Sequence, residues 1–143
     1  MNREIKFRVW DKQTKQWFPI ENAMGLVLNP KSTDLVFMTQ SGPYKIPETN
    51  QEDGGINRFI LQQYIGVNDK NDKLIYEGDI VKFNYNTYEH EVQTEIGEVY
   101  FEDGIFMFGR DLGFATNDCN FNTKSLEVIG NILENPELIK KDI

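Results

Sequence analysis

Apolar and polar positions alternate over short stretches of this chain, and turn-forming residues interrupt them at close intervals. That rhythm predicts strands, since period-two alternation bounded by Gly, Pro, Asn and Asp is what a half-buried sheet needs. Ile5, Phe7 and Val9 alternate with Lys6, Arg8 and Trp10, which predicts a first strand. The polar run from Asp11 to Lys15 reads as a turn, Gln16-Trp17-Phe18 as the returning strand, and Pro19 as its end. Leu26–Leu28 and Leu35–Met38 flank Asn29-Pro30-Lys31-Ser32, a strong turn signal.

Ser41 to Asn57 carries Gly42-Pro43, Pro47 and a polar run ending in Gly54-Gly55. We read it as a loop between an N-terminal β region, 1–57, and a C-terminal region, 58–143, with Glu48 to Gly55 its least ordered part. Beyond it, Phe59–Ile65 is apolar, Asn68–Lys73 is a polar turn, and Leu74-Ile75-Tyr76 is a short strand. Glu77-Gly78 breaks the chain before Asp79–Phe83. Tyr85 to Thr94 is polar enough to predict a long loop. Ile96–Phe101 and Ile105–Phe108 flank Glu102-Asp103-Gly104, and Asp-Gly between apolar runs predicts a hairpin. Gly109 to Lys124 reads as irregular, and Leu126 to Leu133 as the last strand. A short helix is expected at the tail, with Asn135 as cap, Pro136 at the first position and Glu137 beside the positive helix end.

Three blocks carry a resemblance: Arg3 to Asp11; Gln63-Tyr64-Ile65-Gly66 with Ile75 to Lys82; and Glu127 to Asn131 with Glu134 to Leu138. In that order they resemble the YopX family of small bacteriophage and prophage proteins. The resemblance implies a phage or prophage setting and a small fold. It implies no activity and brings no set of catalytic residues. Gly78 to Phe83, then Gly97 to Phe101, then a hairpin also look like the strands of an SH3-like barrel, which bend at glycines. The expected fold is therefore mainly β, with α+β as the variant: an N-terminal β region, then an SH3-like barrel closed by a short helix.

Composition narrows the function. The length of 143 residues suffices for a core without disulfide or metal staples. Met1-Asn2-Arg3-Glu4 leads straight into a strand pattern, no apolar run approaches the ~18 residues of a membrane span, and the lone Cys119 has no disulfide partner within the chain. We expect a protein of the bacterial host cytoplasm, not of the membrane.

The chemistry is sparse. One His and one Cys are too few for a zinc site. His90 sits between Glu89 and Glu91 and reads as a solvated loop residue, and Cys119 has no neighbouring cation to activate it. Asp69-Lys70-Asn71-Asp72 begins like a calcium loop, but Lys73 and Leu74 stand where an oxygen ligand and glycine belong. No enzymatic activity and no cofactor are expected.

Charge supplies two candidate surfaces. The net charge is −8, yet residues 1–20 hold five Lys/Arg against two acids. Lys6, Arg8 and Trp10 share one face of the predicted first strand, and with Lys12 in the adjoining turn they form a basic-aromatic surface suited to phosphate contact and base stacking. Between Lys82 and Arg110 there is no cation, while Glu89, Glu91, Glu95 and Glu98 form an acidic run suited to a basic protein partner. The overall acidity places protein contact, including a homo-oligomer, ahead of nucleic acid.

Overall fold

The computed structural model describes residues 4–12, 14–17, 23–28, 35–39, 42–45, 59–109, 114–115 and 121–139. These residues form twelve strands and one 3₁₀ turn, Pro136–Leu138. The strands are β1 Phe7–Asp11, β2 Gln16–Trp17, β3 Ala23–Leu28, β4 Leu35–Thr39, β5 Gly42–Lys45, β6 Phe59–Asn68, β7 Leu74–Tyr76, β8 Asp79–Asn86, β9 Val92–Glu102, β10 Ile105–Phe108, β11 Phe114–Ala115 and β12 Phe121–Asn131. They build sheets of order β2-β1-β6-β7, β11-β10-β9-β8-β12 and β3-β4-β5. By contacts the chain divides into two units, one of residues 1–7 with 62–143, the other of residues 8–61.

The larger unit is organised around β8. Its odd positions Val81 and Phe83 are buried with Ile65, Ile75, Val99, Phe108 and Leu126 in one apolar cluster. Phe83 meets Phe108 edge-on, ring centroids 6.4 Å apart. Each such side chain contributes roughly 1.5–3 kcal/mol on leaving water. Glu102 pairs with Ile105 across the β9–β10 hairpin. Its two turn residues, Asp103 (φ 51°) and Gly104 (φ 83°), both take the positive φ that a type I′ turn requires. A Cβ on Gly104 would meet nothing within 4 Å, so only the backbone conformation opposes a side chain there. Gly104→Ala is expected to cost about 1 kcal/mol in urea unfolding, with the strand pairing intact by NMR.

The polar turn after β6 is held by one carboxylate. Buried Asp69 accepts the N–H groups of Asn71 (2.8 Å) and Lys73 (2.9 Å) on Oδ1 and that of Val128 (3.0 Å) on Oδ2. Burial pushes this carboxyl up, but the three backbone donors and the charge of Lys73 outweigh it, and its pKa lies below the ordinary value. A second polar group sits where β6, β8 and β12 meet. Asn131 Nδ2 donates to Gln62 Oε1 and to Asp79 Oδ1, both at 3.0 Å, Asn131 Oδ1 accepts the Leu133 N–H (3.0 Å), and Asp79 Oδ2 accepts the Tyr76 N–H (2.8 Å).

In the smaller unit, Trp10 pairs with Trp17 across β1 and β2, and the rings meet edge-on at 4.9 Å. Strands β3, β4 and β5 form an antiparallel meander, Leu26 opposite Phe37 and Phe37 opposite Tyr44.

Several expectations need correction. Gly42–Lys45 is strand, not loop: β5 is an edge strand, where Pro43 loses no ladder bond that the sheet requires. Glu48 to Gly55, Pro19 and Cys119 lie outside the described residues. Tyr85 to Thr94 is no long loop, because β8 runs to Asn86 and β9 starts at Val92. The polar pair there is itself a ladder contact, Thr94 Oγ1 donating to Asn84 Oδ1 at 2.9 Å. The last strand runs from Phe121 to Asn131, starting five residues and ending two residues earlier than read. Its irregular start is a bulge: Ser125 Oγ receives the Asn84 N–H (2.8 Å) and donates to the Asn122 carbonyl (2.6 Å). Among the described residues, which end at Ile139, the tail makes a single 3₁₀ turn, and the Asn135 side chain does not cap it. Its Oδ1 accepts the Asn131 N–H at 3.3 Å instead. Ile5 is exposed and Trp10 is buried, so alternation in the first strand fails at both ends.

Candidate functional site

The basic-aromatic residues divide between the two units. Lys6 belongs to the larger one. It is exposed and ion-paired to Glu4 at 2.7 Å, and the hydrogen bond to that carboxylate holds its ammonium above the ordinary pKa. Arg8, Trp10 and Lys12 belong to the smaller unit. The Arg8 guanidinium lies over the Trp17 ring, 4.2 Å from its centroid. Trp10 is only 7% exposed, so its ring is spent on packing against Trp17. Lys12 is exposed in the turn.

The acidic residues belong to the β8–β9 hairpin. A tight turn joins its strands: the Thr87 N–H donates to the Glu91 carbonyl (2.8 Å), the His90 N–H to the Thr87 carbonyl (3.0 Å), and the Glu91 N–H to Thr87 Oγ1 (3.2 Å). His90 takes φ 61° to close it. Tyr88 stands at the tip, 99% exposed, with Glu89, His90 and Glu91 exposed around it.

Below the tip, period two separates the acids. Glu95 pairs with Phe83 and shares the core-side face, whereas Glu98 pairs with Ile80 on the other. That outer face also carries Val92 (66% exposed) and Ile96 (46%) on β9, and Ile105 (47%) on β10. Tyr100 lies opposite Met107 on the same face. Burial first, then the charges of Glu102 and Glu95, pushes the Tyr100 phenol up.

Sequence reading found the acids and missed the apolar residues beside them. The spacing Val92, Ile96, Tyr100 was the available signal, because an even-numbered apolar set on a strand shares one face. Among the described residues no three His, Cys, Asp or Glu side chains gather where they could hold a metal, and no buried side-chain polar atom lacks a partner. Among them, too, no helix is long and apolar enough to cross a membrane.

The family model described as YopX protein matches residues 6–140. The chain belongs to the YopX family. Two solved structures of similar fold agree with this. Protein EF1440 from Enterococcus faecalis is 26% identical with a TM-score of 0.56, the match covering 97% of this chain and 100% of that one. Protein yopX from Bacillus subtilis is 24% identical with a TM-score of 0.60, covering 96% and 97%. No curated protein matches. Two of the three sequence blocks that point to YopX contribute directly to the buried polar group, through Asp79 and Asn131, and Gln62 stands one residue before the Gln63 that opens the middle block.

Proposed function

We propose that this YopX-family chain is a phage or prophage accessory protein of the bacterial cytoplasm that works by protein contact and not by catalysis. Its contact surface is the β8–β9 hairpin with the outer face of β9 and β10. The observation that carries this reading is Tyr88, an aromatic side chain 99% exposed at a hairpin tip and flanked by acids. Aromatic residues in such positions cost solubility and are the residues that anchor interfaces. The apolar Val92, Ile96 and Ile105 continue the surface, and the absence of cations between Lys82 and Arg110 favours a basic partner. The strands β8 to β12, with bulges between β8 and β12, support an SH3-like reading of this region.

The test is an affinity capture from cells carrying the phage or prophage, repeated after nuclease treatment. Tyr88→Ser with Val92→Ser is expected to lose the captured protein while charge reversal at Lys6 and Arg8 retains it. Capture that disappears with nuclease and with Lys6→Glu/Arg8→Glu would move the function to nucleic acid.

A further inference from the structure

Strand β12 ends the five-stranded sheet, so its outer side is where another strand would add. Two of its backbone groups are engaged there by the turn between β6 and β7. The Leu126 carbonyl accepts the Lys70 N–H at 2.8 Å, and the Val128 N–H donates to Asp69 Oδ2 at 3.0 Å. Lys70 Nζ also pairs with Glu127 Oε2 at 2.6 Å. The turn itself is braced: the Asp69 N–H donates to the Lys73 carbonyl (2.8 Å) and the Asp72 N–H to the Asp69 carbonyl (2.9 Å). Earlier along the same strand, the Lys124 N–H donates to Asn122 Oδ1 at 3.1 Å. A carboxylate and a turn amide thus occupy positions in which a neighbouring strand would supply a carbonyl and an N–H.

We propose that the β6–β7 turn is a cover over a strand-accepting edge, that Asp69 anchors the cover, and that the strand it keeps out is β12 of a second copy. Self-pairing is the fitting occupant for two reasons. One edge placed antiparallel to itself gives a closed two-fold contact and requires no second surface. Strand β12 also carries one cation, Lys124, and one anion, Glu127, so this edge is neutral while the chain as a whole repels its copies. The cover acts as an autoinhibitory contact in which the carboxylate that braces the turn also reaches the Val128 N–H, and the Lys70 backbone N–H reaches the Leu126 carbonyl.

The experiment compares wild type, Asp69→Ala, Asp69→Asn and Lys70→Ala. In dilute Asp69→Ala, below the concentration at which copies pair, backbone amide exchange at Val128 is expected to rise by about tenfold, the equivalent of one lost hydrogen bond, and to fall again as the variant associates. The mass by light scattering is expected to double relative to wild type as concentration increases. A synthetic peptide spanning Phe121–Asn131, added in excess, is expected to bind this variant and return it to the wild-type mass. Lys70→Ala keeps both backbone ties and is expected to behave as wild type. Where Asp69→Ala does not fold, judged by circular dichroism, Asp69→Asn carries the test: it keeps an acceptor for the turn and weakens the tie to Val128. A folded Asp69 variant with wild-type mass and no peptide binding overturns the proposal. Equal peptide uptake by wild type, or association that the peptide does not compete, overturns it too.

Discussion

Gly97→Ala is expected to destabilise the larger unit by about 3 kcal/mol or more, a loss read directly from the midpoint of urea unfolding. The cause is space and not backbone conformation. A Cβ at this position would stand 2.8 Å from the Gly109 amide nitrogen, 3.0 Å from its carbonyl carbon and closer still to its Cα. Those atoms are main chain, so no rotamer change relieves the clash. Relief requires β9 to move away from the segment that follows β10. Val99 and Phe108, both fully buried, are fixed on those same strands and would move with them. Gly104 provides the contrast: it has positive φ but open space, and its substitution tests conformation alone. If Gly97→Ala costs no more than Gly104→Ala, the close approach of the two backbones is not a feature of the folded protein.

The sequence foretold this region better than any other, and the reasons are physical. Asp103-Gly104 predicted its hairpin because few residue pairs tolerate two successive positive φ angles. Ile80, Val81 and Phe83 predicted a buried strand after the Gly78 break, and all three are buried in β8. The polar residues of 85–94 misled because polarity reports exposure, and an exposed hairpin is still paired. Pro43 misled because the rule against proline in strands holds for central strands and not for edges. The helical tail misled because Asn135 and Pro136 favour a helix start, while too few apolar residues follow to extend one. The β8–β9 surface was half legible. Its acids were plain in composition, but the exposure of Tyr88 and the shared face of Val92, Ile96 and Ile105 depend on strand pairing that no single segment encodes. Asp69 and Asp79 were hidden for a related reason. An aspartate in a turn cluster looks solvated until the backbone donors it accepts are known, and those of Asp69 include Val128, 59 residues away.

Asn131→Asp is the change expected to expose how much the buried polar group matters. Asn131, Gln62 and Asp79 are all buried, and the asparagine is the donor to both partners at 3.0 Å. Aspartate has the same size and shape, so packing is retained and only the chemistry is reversed. An acceptor then faces the Asp79 carboxylate and the Gln62 carbonyl oxygen, with two like charges held close in a region of low dielectric. The expected cost is about 3–5 kcal/mol at neutral pH, the range for an uncompensated buried charge. The pH dependence identifies the mechanism. The introduced carboxyl takes a proton more readily in the folded state than in the unfolded chain, since protonation removes the repulsion and restores a donor. A folded-state pKa above the unfolded one means that stability is greatest at low pH and falls as pH rises through the carboxylate range and beyond. The deficit relative to wild type should therefore shrink when urea unfolding is repeated near the acidic end of that range. A cavity or a distorted strand would cost the same at both pH values. An equal deficit would show that Asn131 serves as a packing residue and that the polar group joining β6, β8 and β12 contributes little of its own.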